Sequence, residues 1–381
     1  MAKGSVFPPE KSTYADRETG ATVHRLTDYL GHSNHLYFTH WPFYAGQRRM
    51  LFHSDRENAH NLFGLDLESW EIRQLTGFQP GQDSPGPFSA CVNPVRDEAY
   101  FWAGLSLRAI DLGDLSERAI WERPGRILAG TPNCTSDGAH LCFTVNQDLS
   151  DRLPWDPLRG YVGFAEYWEA RPHCGIVRLS ALGGDVETLW EEDYWLGHVN
   201  TSPTAPSIMT FCHEGPWTRV DHRIWGLDMD SKSAWRIRAG SEGDIVGHEY
   251  WFADGTRVGY HGGRSSMPFV GSADYRGGDF EDHALPRGST HFSSLGRDLI
   301  VSDGGGGDPY LMLWRWNGEG YDGALLCRHR CSFHTQQLHV HPRFTPDGKG
   351  VIYTSDMKGY GDVYLVEVPE FESLPSVARD S

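Results

Sequence analysis

The chain has 381 residues, of which 13 % are aromatic, and its formal net charge at pH 7 is −17. Such an acidic surface repels nucleic acid and anionic lipid, so we expect neither nucleic acid nor a membrane as a partner. No apolar run is long enough to span a bilayer, and the first residues lack the apolar core of a signal peptide. The seven cysteines have scattered spacings that predict free thiols. These features together predict a cytoplasmic protein.

A loose unit of about 40–50 residues recurs along the chain, and this period is typical of β-propeller blades. Each unit is rich in aromatic residues and turns, and it is predicted to form a few short strands joined by hairpins. We place the units at residues 37–75, 86–122, 128–191, 197–238, 246–283, 290–328 and 338–368. The predicted fold class is therefore all-β, a seven-bladed β-propeller that forms a single domain over residues 1–381.

The strand pattern is clearest in the first two units. In the first unit, Met50–Asp55, Asn61–Leu67 and Glu71–Leu75 are predicted to be the second, third and outer strands. In the second unit, Glu98–Trp102 and Leu107–Leu112 occupy the corresponding positions.

Two segments depart from the regular unit. An insertion near residues 149–172 makes the third unit longer, and we interpret it as either an active-site wall or a solvent-facing excursion. The last unit lacks its fourth strand. We predict that the N-terminal segment Thr22–Leu26 supplies this strand, because pairing the two ends of the chain removes the open sheet edges.

Histidines recur where the units begin. These residues are His35, His198, His248, His291, His339 and His341. In a propeller the innermost strand of each blade lines the central channel, so residues at the starts of these strands meet at one mouth of the channel. We therefore expect these histidines to face one another around a shared funnel, although they lie far apart in sequence.

The segment from Gln336 to His341 predicts a metal site. Residues two apart on a β-strand point to the same face, so His339 and His341 are predicted to project together. Gln336 lies three residues before His339, where the chain can bend over the same spot. Two imidazoles and an amide oxygen form a suitable site for a divalent cation of intermediate softness.

A second group of candidate residues lies in the fourth unit. The segment from Phe211 to Trp217 is dense in polar, small and aromatic residues, including His213, which favours a substrate-facing loop. Arg223 follows at the start of a predicted third strand. The glycine run between Asp303 and Asp308 lacks the Lys-Ser/Thr of a phosphate-binding loop, and we interpret it as a flexible turn.

Several ordered motifs carry a resemblance to a known family. They are Thr210-Phe-Cys-His-Glu-Gly-Pro216, Asp221-x-Arg223-x-Trp225, His248-Glu249-x-Trp251, Ser289-x-His291 with Ser302-Asp303-Gly304, and Gln336-x-x-His339-x-His341-Pro342. Together they resemble the oligogalacturonate lyases, polysaccharide lyase family twenty-two. The similarity is strongest from about residue 196 to 366, whereas the N-terminal third shows only the general blade pattern.

The resemblance implies a seven-bladed propeller that holds a manganese-type divalent ion. The metal ligands it implies are His291, Gln336, His339 and His341. It also implies His248 as the catalytic base and Arg223 as its partner in binding and charge neutralisation. We add His35, His198 and His213 as predicted contacts to the substrate, a small anionic oligosaccharide.

The implied reaction is a β-elimination on short oligogalacturonides or a related oligo-uronate. A base removes the proton on C5 of the uronate, the oxygen on C4 leaves, and the product carries a 4,5-double bond. A divalent cation on the C6 carboxylate stabilises the charge that forms, and a neutral histidine can take the proton. An arginine can grip the same carboxylate at two points.

Two other functions compete with a lyase. A propeller glycoside hydrolase needs two carboxylates about 5–9 Å apart, and the unit starts carry histidines without a clear carboxylate pair. A non-catalytic propeller scaffold has no need for histidines around one funnel. Because the fold alone does not separate these functions, the histidine set favours the lyase.

Overall fold

The computed structural model describes residues 2–238, 240 and 243–377, and these residues form seven antiparallel sheets, the blades of a β-propeller. We number the blades one to seven in chain order and give their strands from the innermost outwards. Blade one comprises Ser33–His35, Arg49–Ser54, Asn61–Asp66, Ile72–Gln74 and Val6–Phe7, with Phe43–Tyr44 also paired to the second of these strands. Blade two comprises Ala90–Val92, Glu98–Ala103, Ser106–Asp111 and Glu117–Glu122.

Blades three to five follow the same antiparallel order. Blade three comprises Ile127–Ala129 together with Asn133–Cys134, then His140–Gln147, Cys174–Ser180 and Glu187–Glu192. Blade four comprises Leu196–Thr201, Ile208–His213, Ile224–Asp228 and Ser233–Arg236. Blade five comprises Asp244–Trp251, Arg257–Arg264, Met267–Asp274 and Phe280–Ala284.

The last two blades complete the ring. Blade six comprises Phe292–Ser294, Leu299–Ser302, Tyr310–Trp316 and Tyr321–Arg328. Blade seven comprises Arg343–Phe344, Gly350–Ser355, Asp362–Glu367, Thr22–Arg25 and Ser12–Ala15. The seven-bladed all-β fold expected from the repeats is therefore confirmed. Helical structure is confined, within the described residues, to the α-helix Phe164–Glu169 and the 3-10 turns Arg56–Asn58, Gln336–Leu338 and Phe371–Ser373.

The N-terminal segment joins two neighbouring blades. Thr22–Arg25 pairs antiparallel with Asp362–Glu367 in blade seven, and Ser12–Ala15 adds a fifth strand outside it. Val6–Phe7 then pairs with the outer strand Ile72–Gln74 of blade one. The fifth strand and the contact with blade one have no counterpart in the sequence prediction, because these two short segments carry little apolar periodicity.

Hydrophobic cores lie between neighbouring blades. One cluster joins Leu51 of blade one to Phe101 of blade two, and another joins Phe52 of blade one to Val363 of blade seven. Buried apolar area of this kind stabilises the closed ring by roughly 25 cal/mol per Å². No helix of the described residues is long and apolar enough to cross a membrane.

The strand order determines which loops can build a site. Because the strands of a blade alternate in direction, the loop before the first strand and the loop between the second and third strands emerge on the same face of the ring. This face therefore receives the residues before Phe292 and before Arg343, the loop from His213 to Ile224, and the insertion in blade three. His291, Gln336, His339, His341, His213 and Arg223 lie in or beside these loops, whereas His35, His198 and His248 lie within first strands.

Candidate active site

A cavity of about 590 Å³ opens on this face of the ring. Its wall is built from several blades and from the insertion in blade three, and it is rich in aromatic and histidine side chains. The residues concerned include Tyr37, Phe88, Leu158, Tyr161, Phe164, Trp195, His198, Glu214, Trp217, His248, Thr290 and Gln336. An apolar wall with a few convergent polar groups is typical of a small-ligand site.

Three buried histidines converge beside this cavity. His291, His339 and His341 each place a ring nitrogen within 4.8 Å of the others. The Nδ1 atom of His339 and the Nε2 atom of His341 are buried and have no hydrogen-bond partner in the described part of the chain. Buried polar atoms are normally satisfied, so unpaired nitrogens at this position fit a bound ion. A set of imidazole nitrogens suits a divalent transition-metal ion.

Asp303 holds the ring of His291 in place. The Nδ1 atom of His291 donates to Asp303 at 2.6 Å, and the backbone amides of His291 and Thr290 donate to the same carboxylate. Burial would raise the pKa of Asp303, but the neighbouring His291 and these hydrogen bonds lower it to about 2. The carboxylate is therefore ionised, and it leaves the Nε2 lone pair of His291 free to bind an ion. Carboxylates commonly orient metal-binding histidines in this way.

The other two histidines are neutral at pH 7. Burial, followed by repulsion from His291, lowers the pKa of His339 to about 4, and the same two causes lower the pKa of His341 well below its ordinary value. Neutral imidazoles are the form that binds a metal. The structure therefore brings together three of the four predicted ligands and gives His339 and His341 a suitable protonation state.

The backbone reason for this arrangement differs from the sequence prediction. His339 and His341 precede the strand Arg343–Phe344 and do not lie on it, so the expectation that a β-strand pleat aligns them is wrong. His339 is extended after the turn Gln336–Leu338, whereas His341 adopts a left-handed conformation with φ of 47°. This strained turn brings the two ring centroids to 5.6 Å from each other.

His248 occupies the cavity wall next to the three histidines. Its ring stacks on His291 at 4.9 Å and on His198 at 5.2 Å between centroids. Its Nδ1 atom lies 2.9 Å from the carbonyl oxygen of Thr290, which can only accept, so Nδ1 carries the proton. Burial, followed by the charges of neighbouring groups such as His291, lowers the pKa of His248 well below its ordinary value. The ring is therefore a neutral base whose Nε2 lone pair is available.

β-Bulges position two of these histidines. The register of the first strand shifts beside His198 in blade four and again beside His248 in blade five. Bulges redirect side chains and are common next to active sites. His198 also has a left-handed backbone with φ of 46°, which is uncommon for a residue other than glycine. The bulges explain how strand residues reach the mouth of the channel.

Arg223 forms a buried ion network with two glutamates. Its Nε donates to Glu249 and its Nη1 to Glu214, each at 3.1 Å, while His198 lies 3.2 Å from Glu214 and 3.6 Å from Glu249. Burial would raise the pKa of Glu214, but the charge of Arg223 and the hydrogen bond from His198 hold it well below the usual range. Only the Nη2 atom of Arg223 lacks a hydrogen bond to the described residues. The Nη2 group therefore keeps two N–H donors, and the two-point grip on a substrate carboxylate stays a prediction.

Gln336 contacts the insertion of blade three. Its side-chain amide donates to the Tyr161 hydroxyl at 2.7 Å, and its backbone amide donates to the carbonyl of Leu158 at 3.2 Å. Gln336, Leu158 and Tyr161 all line the cavity. Of the two roles considered for the insertion, the structure therefore supports the active-site wall.

Two predicted substrate contacts lie away from the cavity wall. Both ring nitrogens of His213 are occupied by carboxylates, with Asp221 at 2.9 Å and Glu192 at 3.0 Å. His35 is buried, its Nε2 lies 3.4 Å from the carbonyl of Val340, and burial lowers its pKa to about 4. The structure thus gives both histidines partners within the protein, whereas His198 faces the cavity as expected.

Sequence reasoning assigned no role to three acidic residues of this site. Glu214 and Glu249 hold Arg223, and Asp303 holds His291. Each acid stands within a motif quoted above, and Glu249 directly follows His248. The interpretation of residues 303–308 as a flexible turn overlooked that Asp303 is fully buried.

Comparison with known proteins agrees with this architecture. A sequence model of the oligogalacturonate lyase family matches residues 1–372. An oligogalacturonide lyase of Pectobacterium atrosepticum is 30 % identical, with 97 % of this chain and 99 % of that protein covered. A solved oligogalacturonate lyase in complex with manganese is 29 % identical with a TM-score of 0.88, and one from Vibrio parahaemolyticus is 27 % identical with a TM-score of 0.87. Each covers 97 % of this chain and 99 % of its own. The chain therefore belongs to the oligogalacturonate lyase family.

Proposed function

We propose that this protein is a metal-dependent carbon-oxygen lyase that cleaves short oligogalacturonides by β-elimination, giving 4,5-unsaturated uronate products. The observation that carries the proposal is the position of His248, whose free ring nitrogen stands beside the three convergent histidines at one cavity. The family relationship and the manganese complex of a relative support the same reaction.

The proposed metal ligands are His291, His339, His341 and the side chain of Gln336. When bound, a divalent ion such as Mn²⁺ would withdraw electron density from the C6 carboxylate of the uronate and so acidify the proton on C5. Neutral rings at His339 and His341, together with the contact between Asp303 and His291, suit these side chains to the task.

His248 is the proposed general base. Its Nε2 lone pair accepts the C5 proton, while its Nδ1–H group goes on donating a hydrogen bond to the carbonyl oxygen of Thr290. This hydrogen bond fixes the tautomer and stabilises the imidazolium that forms during the reaction. The lowered pKa keeps the base unprotonated at pH 7 before each turnover.

Arg223 is proposed to act from behind the cavity wall. It neutralises part of the charge of Glu214 and Glu249, and its Nη2 group, which has no hydrogen bond to the described residues, keeps two N–H donors. His198 then lies between the same two glutamates and stacks on His248, so the network sets the position of the base. We propose that substrate contacts come from His198 and from the aromatic wall.

The hydrolase alternative is disfavoured by the protonation state of Glu214. A glycosidase needs one protonated carboxyl group as the general acid and a second carboxylate as its partner. The structure brings Glu214, from the loop after the second strand of blade four, next to Glu249 of blade five, and Arg223 pairs with both. Because the pKa of Glu214 is held well below the usual range, this cavity glutamate has no proton to donate.

The direct test is to incubate the protein and Mn²⁺ with a panel of short uronate oligomers and record ultraviolet absorbance. A conjugated unsaturated product absorbs, whereas a hydrolysis product does not. New absorbance that depends on the ion supports the lyase. New reducing ends that form without absorbance would establish a hydrolase instead.

A further inference from the structure

The insertion of blade three crosses the mouth of the funnel. We call residues 155–164 the strap. The strap leaves blade three between its second and third strands, and its tip meets Gln336, which lies in the loop that leads into blade seven. The hydroxyl of Tyr161 and the carbonyl of Leu158 both accept hydrogen bonds from Gln336, at 2.7 and 3.2 Å. The strap is therefore joined to blade three through the chain and held to the loop before blade seven by hydrogen bonds at its tip.

The blades that the strap connects are as far apart as the ring permits. Contacts between successive blades give a closed order from one to seven, in which blades three and seven are separated by blades one and two on one side. Blades four, five and six separate them on the other side. A segment that joins them has to pass over the channel mouth, beside the cavity.

The base of the strap is fixed by aromatic packing. Phe164 lies 4.7 Å from Trp195 at the start of blade four, and Trp155 lies 4.5 Å from the buried Tyr167, measured between ring centroids. The hydroxyl of Tyr167 donates to the carbonyl of Gln147 at 2.6 Å. Aromatic pairs of this geometry each contribute about 0.5–1.5 kcal/mol beyond their buried area. The base thus resists displacement by a ligand.

The tip of the strap presents apolar surface at the rim of the cavity. Leu158, Tyr161 and Val162 are 45 %, 50 % and 47 % exposed. Leu158 and Tyr161 line the cavity, and Tyr161 packs edge-on against Phe164 at 5.5 Å. Exposed apolar residues grouped at a cavity rim indicate a ligand-contacting surface.

We propose that the strap is an end wall that sets the length of oligo-uronate accepted, with Tyr161 and Leu158 as the specificity-determining residues. The inference rests on the proposed lyase function. With the strap attached to Gln336, the cavity is closed on one side. A short oligomer fits inside the cavity, whereas a longer chain collides with the strap. The hydrogen bonds to Gln336 keep this side closed, and removal of the wall side chains opens a path across the mouth.

The test compares catalytic efficiency on uronate oligomers from the dimer to the hexamer. The variants are the double substitution Leu158→Ala/Tyr161→Ala, which removes the wall, and Tyr161→Phe, which removes only the hydroxyl bonded to Gln336. Tyr310→Phe is the matched control, because its hydroxyl bonds to Glu18 on the outer part of the propeller. Thermal unfolding midpoints establish that each variant is folded.

We expect the double variant to raise the ratio of kcat/KM for the hexamer to that for the dimer by about tenfold or more, since lost pocket contacts of this size change discrimination by about 10–200-fold. Tyr161→Phe should shift the ratio in the same direction by less, and Tyr310→Phe should leave it unchanged. If the double variant does not fold, Tyr161→Phe alone decides the direction.

A ratio that stays within about twofold of the wild type in every folded variant overturns the strap proposal and leaves the lyase function intact. A wild-type protein that forms no unsaturated product from any oligomer refutes the lyase function itself. Binding gives an independent measure, because a His248→Ala background lowers turnover by about 10²–10⁴-fold and so permits calorimetric titration. In that background, an unchanged dependence of Kd on oligomer length after the double substitution would also overturn the proposal.

Discussion

Replacement of Asp303 by asparagine tests how the histidine cluster is held. Asp303 is fully buried, and it accepts the Nδ1 proton of His291 at 2.6 Å and backbone amides from Thr290, His291 and Gly305. Asparagine has nearly the same shape but carries no charge. Its amide group can also present donors where the carboxylate presents only acceptors, and this disturbs the orientation of the His291 ring.

The expected loss of stability follows from the pKa of Asp303. Folding lowers this pKa from 3.8 to about 2, and the difference corresponds to about 2–3 kcal/mol in favour of the ionised folded state. Because the folded pKa is the lower one, this contribution is complete above about pH 4 and is lost as the pH falls through about 2. At pH 7 Asp303→Asn should therefore lower the free energy of unfolding by about 2–3 kcal/mol. Metal affinity should fall about 10–100-fold, as it does when such supporting carboxylates are changed.

Two measurements check these values. Denaturant unfolding of the metal-free protein gives the stability, and titration calorimetry with Mn²⁺ gives the affinity. Asp16→Asn is the control, because Asp16 is also buried and accepts backbone amides, but from residues of the N-terminal turn and from Arg328 in the outer strand of blade six. It should lower stability and leave Mn²⁺ affinity unchanged. An Asp303→Asn protein with wild-type affinity for Mn²⁺ would refute the role given to this carboxylate.

Five further outcomes are expected. The double variant His339→Ala/His341→Ala should lose its ion in elemental analysis while circular dichroism shows the fold retained. Full metal retention would refute the assignment of these two histidines as metal ligands. His248→Ala should lower kcat by about 10²–10⁴-fold with metal content unchanged; near-normal turnover would move the base elsewhere. For the wild type, kcat/KM should rise with pH only below about 6.5, because the lowered pKa of His248 leaves it neutral above that value; an acid limb centred above pH 7 would contradict this. Arg223→Lys should destabilise the protein nearly as much as Arg223→Ala in denaturant unfolding, because an ammonium cannot bind both glutamates in the geometry of the guanidinium. Removal of the divalent ion with a chelator should abolish turnover and also weaken substrate binding in calorimetry.

Much of the fold was predictable because local patterns and tertiary packing agree in the blades. The predicted strand Met50–Asp55 is observed as Arg49–Ser54, and Leu107–Leu112 is observed as Ser106–Asp111. In these strands the apolar residues that face a neighbouring blade either alternate with polar residues or form a continuous run. Both patterns are typical of β-strands and can be read directly from the sequence. Ser12–Ala15 has no buried residue, and no apolar pattern revealed it.

The sequence identified the histidines of the site, but it did not reveal the backbone geometry that positions them. His198 and His248 reach the funnel through β-bulges, and His341 through a left-handed turn. A bulge or a left-handed residue other than glycine leaves no reliable mark in a single sequence. The partners of Arg223 were also hidden, because a buried arginine and an exposed one look the same in sequence. Its neighbours Glu214 and Glu249 come from different blades and meet only in the folded ring.

The charges around the cavity explain why binding of the substrate and binding of the ion should be linked. Glu214, Glu249 and Asp303 place three carboxylates near the cavity and its histidine cluster, while Arg223 supplies one compensating guanidinium charge. The neutral state of His248 adds no positive charge to oppose them. On these charges alone the cavity would repel an anionic uronate, and the net charge of −17 on the whole chain adds to that repulsion. A divalent ion held by the three histidines would offset this excess of negative charge beside the cavity. The ion therefore has two roles in the proposed mechanism, attraction of the substrate and stabilisation of the charge that develops, and loss of the ion should impair both.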